Sequence, residues 1–173
     1  MKKYLLFLLL AAIPFVGNTQ KIHRQYSFYP QEGGNVYFIY PQKVFESNDA
    51  GALKKLTYDI TYLAGRDSAS FTFTYYTHNV MKIDSVKLLS DKMDVLFEGK
   101  AITYFVQPRK NYWQQRASLT LPYELLVKTF QEDNSFIISL TGKKSISYQM
   151  KPKVWKKQSQ MISKIFDIVE YNN

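Results

Sequence analysis

Between residues 54 and 77 apolar and polar positions alternate with a period of two. Leu56, Tyr58, Ile60 and Tyr62 fall on one face against Thr57, Asp59 and Thr61, and Phe71, Phe73 and Tyr75 then alternate with Thr72 and Thr74. With Ala64, Gly65, Arg66 and Asp67 between them, the two runs predict a β-hairpin. The aromatic stretch before it breaks at Gly33 and Gly34 and resumes as a strand over 36–40, while 41–53 reads as an irregular or short helical connection. Further strands are expected over 82–89, 92–97, 101–106 and 114–121, a spacing near ten residues that suits a sandwich or barrel. The period then changes. Pro122 can open a helix, and Leu125, Leu126 and Phe130 recur at helical spacing through Gln131. A second hairpin follows, with strands at 135–140 and 146–150 around Thr141, Gly142 and Lys143.

From Lys153 onward Gln158, Met161, Ile162, Ile165, Ile168 and Val169 form one stripe, and Lys153, Lys156, Lys157, Gln160 and Lys164 form the other. Such a helix is marginal alone in water, so its apolar stripe should pack across a face or open end of the sheet. The expected fold class is α+β and mainly antiparallel β, a β-sandwich or partly open barrel. It has about nine strands, a short helix near 122–131 and a C-terminal amphipathic helix near 153–170. The order of strand, Leu121-Pro122-Tyr123-Glu124-Leu125-Leu126 helix, hairpin and closing helix resembles the second half of small exported β-sandwich proteins related to the bacterial invasion-associated locus B family. The resemblance implies an exported β-rich domain. The cysteines usual in that family are missing, and no functional residue carries over.

At the other end, Lys2 and Lys3 precede an apolar run over 5–16 interrupted only by Pro14. A basic start and an apolar stretch of about a dozen residues fit a secretory signal peptide and fall short of the ~20 residues a membrane-spanning helix needs. Small residues at Gly17 and Thr19 place the expected cleavage before Gln20, giving a leader at 1–19 and a single β-rich domain at 20–173. Glutamine directly after the cleavage point is similar to export signals of the Bacteroidetes group. These features predict an exported protein, periplasmic or at the cell surface or secreted, with no transmembrane helix in the mature chain. No cysteine follows the leader, so a lipoprotein anchor is not expected.

The whole chain has no cysteine, which removes disulfides, thiol catalysis and thiolate metal sites. Without Lys2 and Lys3, the 23 basic residues become 21 against 14 acidic ones, a formal charge of +7 on the mature chain that favours anionic partners. Outside an inner membrane these are headgroups, glycans and acidic proteins, and nucleic acid is not expected.

Candidate chemistry is sparse. Of the two histidines, His78 follows a strand and is the one candidate general base, with Asp59 or Asp84 and Ser68, Ser70 or Ser85 as conceivable triad partners. No serine lies in a Gly-x-Ser-x-Gly elbow, and no catalytic residue is assigned. No histidine pair has metal-ligand spacing, and the segment Ser90-Asp91-Lys92-Met93-Asp94 lacks the glycine of a calcium loop, so neither metal nor cofactor is expected. Asp59, Asp84, Asp94, Glu98 and Glu124 could furnish a glycosidase pair, yet nothing in the pattern selects two of them. Gly33 and Gly34 lead into a strand and form a turn, not a phosphate loop.

Two features stand out. Residues 134–166 contain seven lysines and no acid, so Lys143, Lys144, Lys153, Lys156 and Lys157 with Trp155 are a candidate surface for an anionic headgroup, a glycan or an acidic envelope protein. Tyr112 and Trp113, after Arg109 and Lys110, are candidate aromatic contacts. The first expectation is therefore a non-catalytic envelope binding module. The alternative is a carrier holding a small apolar ligand inside a barrel or sandwich, and a small hydrolase using His78 comes third.

Overall fold

The computed structural model describes residues 22–47, 52–90, 92–132 and 135–172, with backbone alone at 44–47 and 52–54; the expected leader and Gln20 lie outside these residues. The chain runs β1 (Tyr26–Gln31), β2 (Gly34–Ser47), β3 (Ala52–Leu63), β4 (Ser68–Thr77), β5 (Ile83–Ser90), β6 (Val95–Gly99), β7 (Ile102–Arg109), β8 (Tyr112–Pro122), α1 (Tyr123–Gln131), β9 (Phe136–Gly142), β10 (Ser145–Gln149) and α2 (Pro152–Tyr171). Every pairing is antiparallel. One sheet has the order β1-β2-β3-β4-β8-β7, the other β6-β5-β9-β10, and the end of β2 joins them by pairing Ser47 with Tyr148 of β10. The expected α+β architecture dominated by antiparallel sheet is the one observed.

One local expectation needs correction. The region 41–53 is mostly strand: β2 runs through Ser47 and β3 begins at Ala52, while 48–51 lie outside the described residues. Pro41 obscured this because it lacks an N–H, but it sits where the β2–β3 register slips between Ile39 and Gln42, and a bulge tolerates that loss. The stretch before Gly33 is also a strand, so β1 and β2 form a hairpin closed by Gly33 and Gly34, whose φ of +93° and +133° favour glycine. Among the described residues there are ten strands where about nine were expected.

The period-two faces do what their pattern predicts. In register, Tyr58 faces Phe73, Ile60 faces Phe71 and, one strand on, Phe71 faces Leu119, so one side of the first sheet is apolar and buried. Both helices close over it. Pro122 caps α1 from outside and Pro152 occupies the first turn of α2, where a missing N–H costs nothing. The α2 stripe buries Ile162, Ile165 and Val169 as expected and adds Trp155, Ser159 and Phe166, while Lys153, Lys156, Lys157, Gln160 and Lys164 face solvent.

Aromatic rings fill the centre. The Trp155 ring lies 5.2 Å from Phe130 of α1 and 5.0 Å from Phe136 of β9, and Phe136 lies 6.3 Å from Phe71 of β4. Both sheets and both helices therefore meet in one cluster, in which each fully buried large apolar side chain contributes roughly 1.5–3 kcal/mol. Tyr58 adds a polar tie by donating its hydroxyl to Gln158 Oε1 at 3.0 Å. Burial drives the Tyr58 phenol far above its ordinary pKa, so it stays protonated and remains a donor.

Candidate functional site

The chain crosses from the first sheet to the second through the loop at residues 77–82, and this loop is held from below by a buried glutamine. Gln115 of β8 is fully buried; its Nε2 donates to Thr77 Oγ1 at 2.8 Å, and its Oε1 accepts from the Met81 N–H at 3.2 Å. Thr77 in turn donates to the Asn79 carbonyl at 2.6 Å, and the Tyr75 hydroxyl donates to the Met81 carbonyl at 3.3 Å. Both ends of the loop are thus fixed to the sheet, leaving His78, Asn79 and Val80 exposed at its crest.

The second contribution is the turn between β9 and β10. Because β5 pairs with β9, with Ile83 opposite Gly142, the turn lies beside the loop. Gly142 makes the approach possible, since a Cβ at that position would clash with the Lys82 carbonyl oxygen. Lys143 and Lys144 lie on this turn and are exposed. The result is a cleft of about 1090 Å³ lined by residues 77–82 together with Asp84 and 143–146. Three lysines, Lys82, Lys143 and Lys144, share it with His78 and with one acid, Asp84.

The structure divides the sequence-predicted lysines. Lys143 and Lys144 lie at one end of β10 and Lys153, Lys156 and Lys157 follow its other end, five strand residues or roughly 17 Å away. The second group occupies the solvent side of α2 and does not enter the cleft. Trp155 belongs to neither group: it is 1% exposed, inside the aromatic cluster, so the expectation of a surface indole is corrected. Its positions relative to Ser159, Ile162, Phe166 and Val169 follow the four-three spacing of a buried helix stripe, a signal present in the sequence. Tyr112 is half-buried with its ring 5.5 Å from Tyr76, whose other neighbour is Lys55 at 5.9 Å, and Trp113 pairs in register with Thr77 at the edge of the cleft.

The catalytic candidates separate as well. His78 and Asp84 line the same cleft with Ser145, but among the described residues no hydrogen bond joins the three. Ser68 and Ser70 lie at the far end of β4 from His78. Asp59 sits on the opposite face of the first sheet, where it accepts from Arg116 Nη2 at 2.7 Å, and Arg116 also donates to Thr74. Burial holds the Asp59 carboxyl above the usual carboxylate range, with the hydrogen bond and charge of Arg116 pulling it down. Glu98 is paired with Lys87 at 3.2 Å, and Asp94 closes a turn by donating its backbone N–H to Ser90 Oγ at 3.1 Å. Among the described residues no group of three or more His, Asp or Glu side chains is arranged to hold a metal ion, and no helix is long and apolar enough to cross a membrane.

A second cleft, of about 520 Å³, lies at the β3–β4 turn and the start of α1. Arg66, Asp67 and Glu124 line it together, and Tyr62 stacks on Tyr123 at 3.8 Å. Its charges balance toward the acidic side, which sets it apart from the lysine-lined cleft. No family model, curated protein or solved structure matches this chain. The likeness in element order therefore brings no residue role to either cleft, and the chemistry is read from the side chains themselves.

Proposed function

We propose that this chain is an exported, non-catalytic binding module of the bacterial cell envelope, and that it takes an anionic group of a headgroup, glycan or acidic protein into the cleft framed by His78, Lys82, Lys143 and Lys144. The observation that carries the reading is the convergence of two separate turns. One delivers His78 and Lys82, the other Lys143 and Lys144, into a single concavity that holds one carboxylate, Asp84. Like charges gathered around one recess repel one another, and a bound anion relieves that repulsion. Lysine ammonium groups supply three rotatable donors each, which suits phosphate, sulfate or carboxylate oxygens without demanding one geometry. The interior favours surface binding over an internal apolar ligand, because Trp155, Phe130, Phe136 and Phe166 occupy the space between sheets and helices.

The test separates local concavity from overall charge. One variant combines Lys82→Glu, Lys143→Glu and Lys144→Glu, and the other combines Lys153→Glu, Lys156→Glu and Lys157→Glu, so both change the net charge equally. On a sulfated polysaccharide matrix the cleft variant should elute at markedly lower salt than the helix variant. Equal loss of retention in the two variants contradicts the proposal, since net charge alone would then explain binding.

A further inference from the structure

Strand β7 differs from every other strand of the fold in having all eight of its residues, Ile102–Arg109, exposed. It pairs with β8 on one side, and among the described residues its other edge carries no strand. Its exposed residues are apolar to an unusual degree: Ile102 is 64% exposed, Tyr104 58%, Phe105 38% and Val106 40%. Ile102 and Phe105 lie on the side of the sheet that carries Ser118 and Arg116, and Val106 lies on the side of Gln115. An edge strand with free backbone donors and acceptors and apolar side chains on both faces is a template for a further strand. Pro108 contributes no N–H, so the usable run is residues 102–107, about 20 Å long.

Charge selects the occupant. No Asp, Glu, Lys, Arg or His lies between Ile102 and Pro108, but Lys100 stands at one end of the run and Arg109 and Lys110 at the other. The nearest acid in sequence, Glu98, is held by Lys87. A second copy pairing antiparallel on a two-fold axis between Tyr104 and Phe105 would set Arg109 opposite Lys100, and an axis at Phe105 would set Lys110 there. Like charges directly opposite one another destabilise a strand pair, so the two registers that overlap the run 102–107 most fully with itself disfavour a second copy.

We propose that β7 receives an extended segment of a partner protein, about six residues long, apolar at alternating positions and acidic at both ends. The segment adds a strand to the first sheet, its backbone pairing with residues 102–107 and its acids with Lys100, Arg109 and Lys110. Two labelled peptides test this, each with a core of six alternating valines and threonines, one flanked by paired aspartates and the other by paired lysines. By fluorescence anisotropy the acidic peptide should bind on the order of tenfold tighter. The combined Lys100→Glu and Lys110→Glu variant should reverse the order of the two peptides, and Ile102→Asp with Phe105→Asp should weaken both while leaving the melting temperature of the protein unchanged. Equal affinity for the two peptides, no binding of either up to about 1 mM, or unaltered preference in the charge-reversed variant overturns the proposal. So does a homodimer in analytical ultracentrifugation that Ile102→Asp abolishes.

Discussion

The two ends of β10 carry the same residue type into opposite surroundings. At the end joined to β9, Lys143 and Lys144 enter a recess with Lys82 and His78; at the end joined to α2, Lys153, Lys156 and Lys157 stand apart on a convex helix face. What differs is the support beneath them. The turn is pressed against a loop that Gln115 fixes, and Gly142 permits the contact, whereas the helix is fixed by Trp155 and turns its lysines away from the packing. Lysine density along a chain therefore does not define a site. The proposed site needs a recess as well, because only there can several of these charges face one bound group together.

The strongest way to break this contrast is to remove the anchor of the helix. Trp155→Ala should lower the unfolding free energy by about 3–5 kcal/mol in urea denaturation, from lost burial and the cavity left among Phe130 and Phe136. The effect is one of packing, since among the described residues the indole Nε1 has no hydrogen-bond partner. Val154→Ala, at the exposed neighbour, should change stability by less than about 0.5 kcal/mol.

Loosening the recess should cost less and act elsewhere. Gln115→Ala removes the donor to Thr77 and the acceptor for the Met81 N–H, leaving buried polar groups unsatisfied at roughly 1–3 kcal/mol. It should also weaken retention on the sulfated matrix, because the loop bearing His78 and Lys82 loses its support. Retention unchanged at lowered stability would mean that the loop holds its shape without Gln115.

The smallest effect is a pH dependence outside both lysine groups, at Asp59. Its carboxyl is held above the usual range by burial despite Arg116, so folding favours the protonated form. That contribution is complete below the ordinary carboxylate pKa and declines as pH rises through the elevated value. Against Asp59→Asn, which does not titrate, the parent should therefore lose relative stability as the pH rises above the ordinary carboxylate range of about 4. A relative gain over that interval would mean that Arg116 outweighs burial.

Much of the fold was legible because burial leaves a period. The β3–β4 hairpin, both helices and the hairpin carrying Lys143 and Lys144 follow from alternation or helical stripes. Residues 41–53 were not legible, since Pro41 imitates a break and only the bulge beside it shows how a strand absorbs the proline. Trp155 was misjudged through its lysine neighbours, although its spacing to Ile162 and Phe166 placed it on the buried stripe. The cleft itself had no signature along the chain. His78 and Lys143 are far apart in sequence and meet because β5 pairs with β9, a choice that alternation does not encode.

The place where an anion binds distinguishes the cleft from the helix face most directly. Pyrophosphate titrated into the isotopically labelled chain should shift backbone amide resonances of residues 77–84 and 141–146, and the combined Lys82→Glu, Lys143→Glu and Lys144→Glu variant should abolish those shifts. Shifts centred on Lys153, Lys156 and Lys157, or no shifts at all, would contradict it.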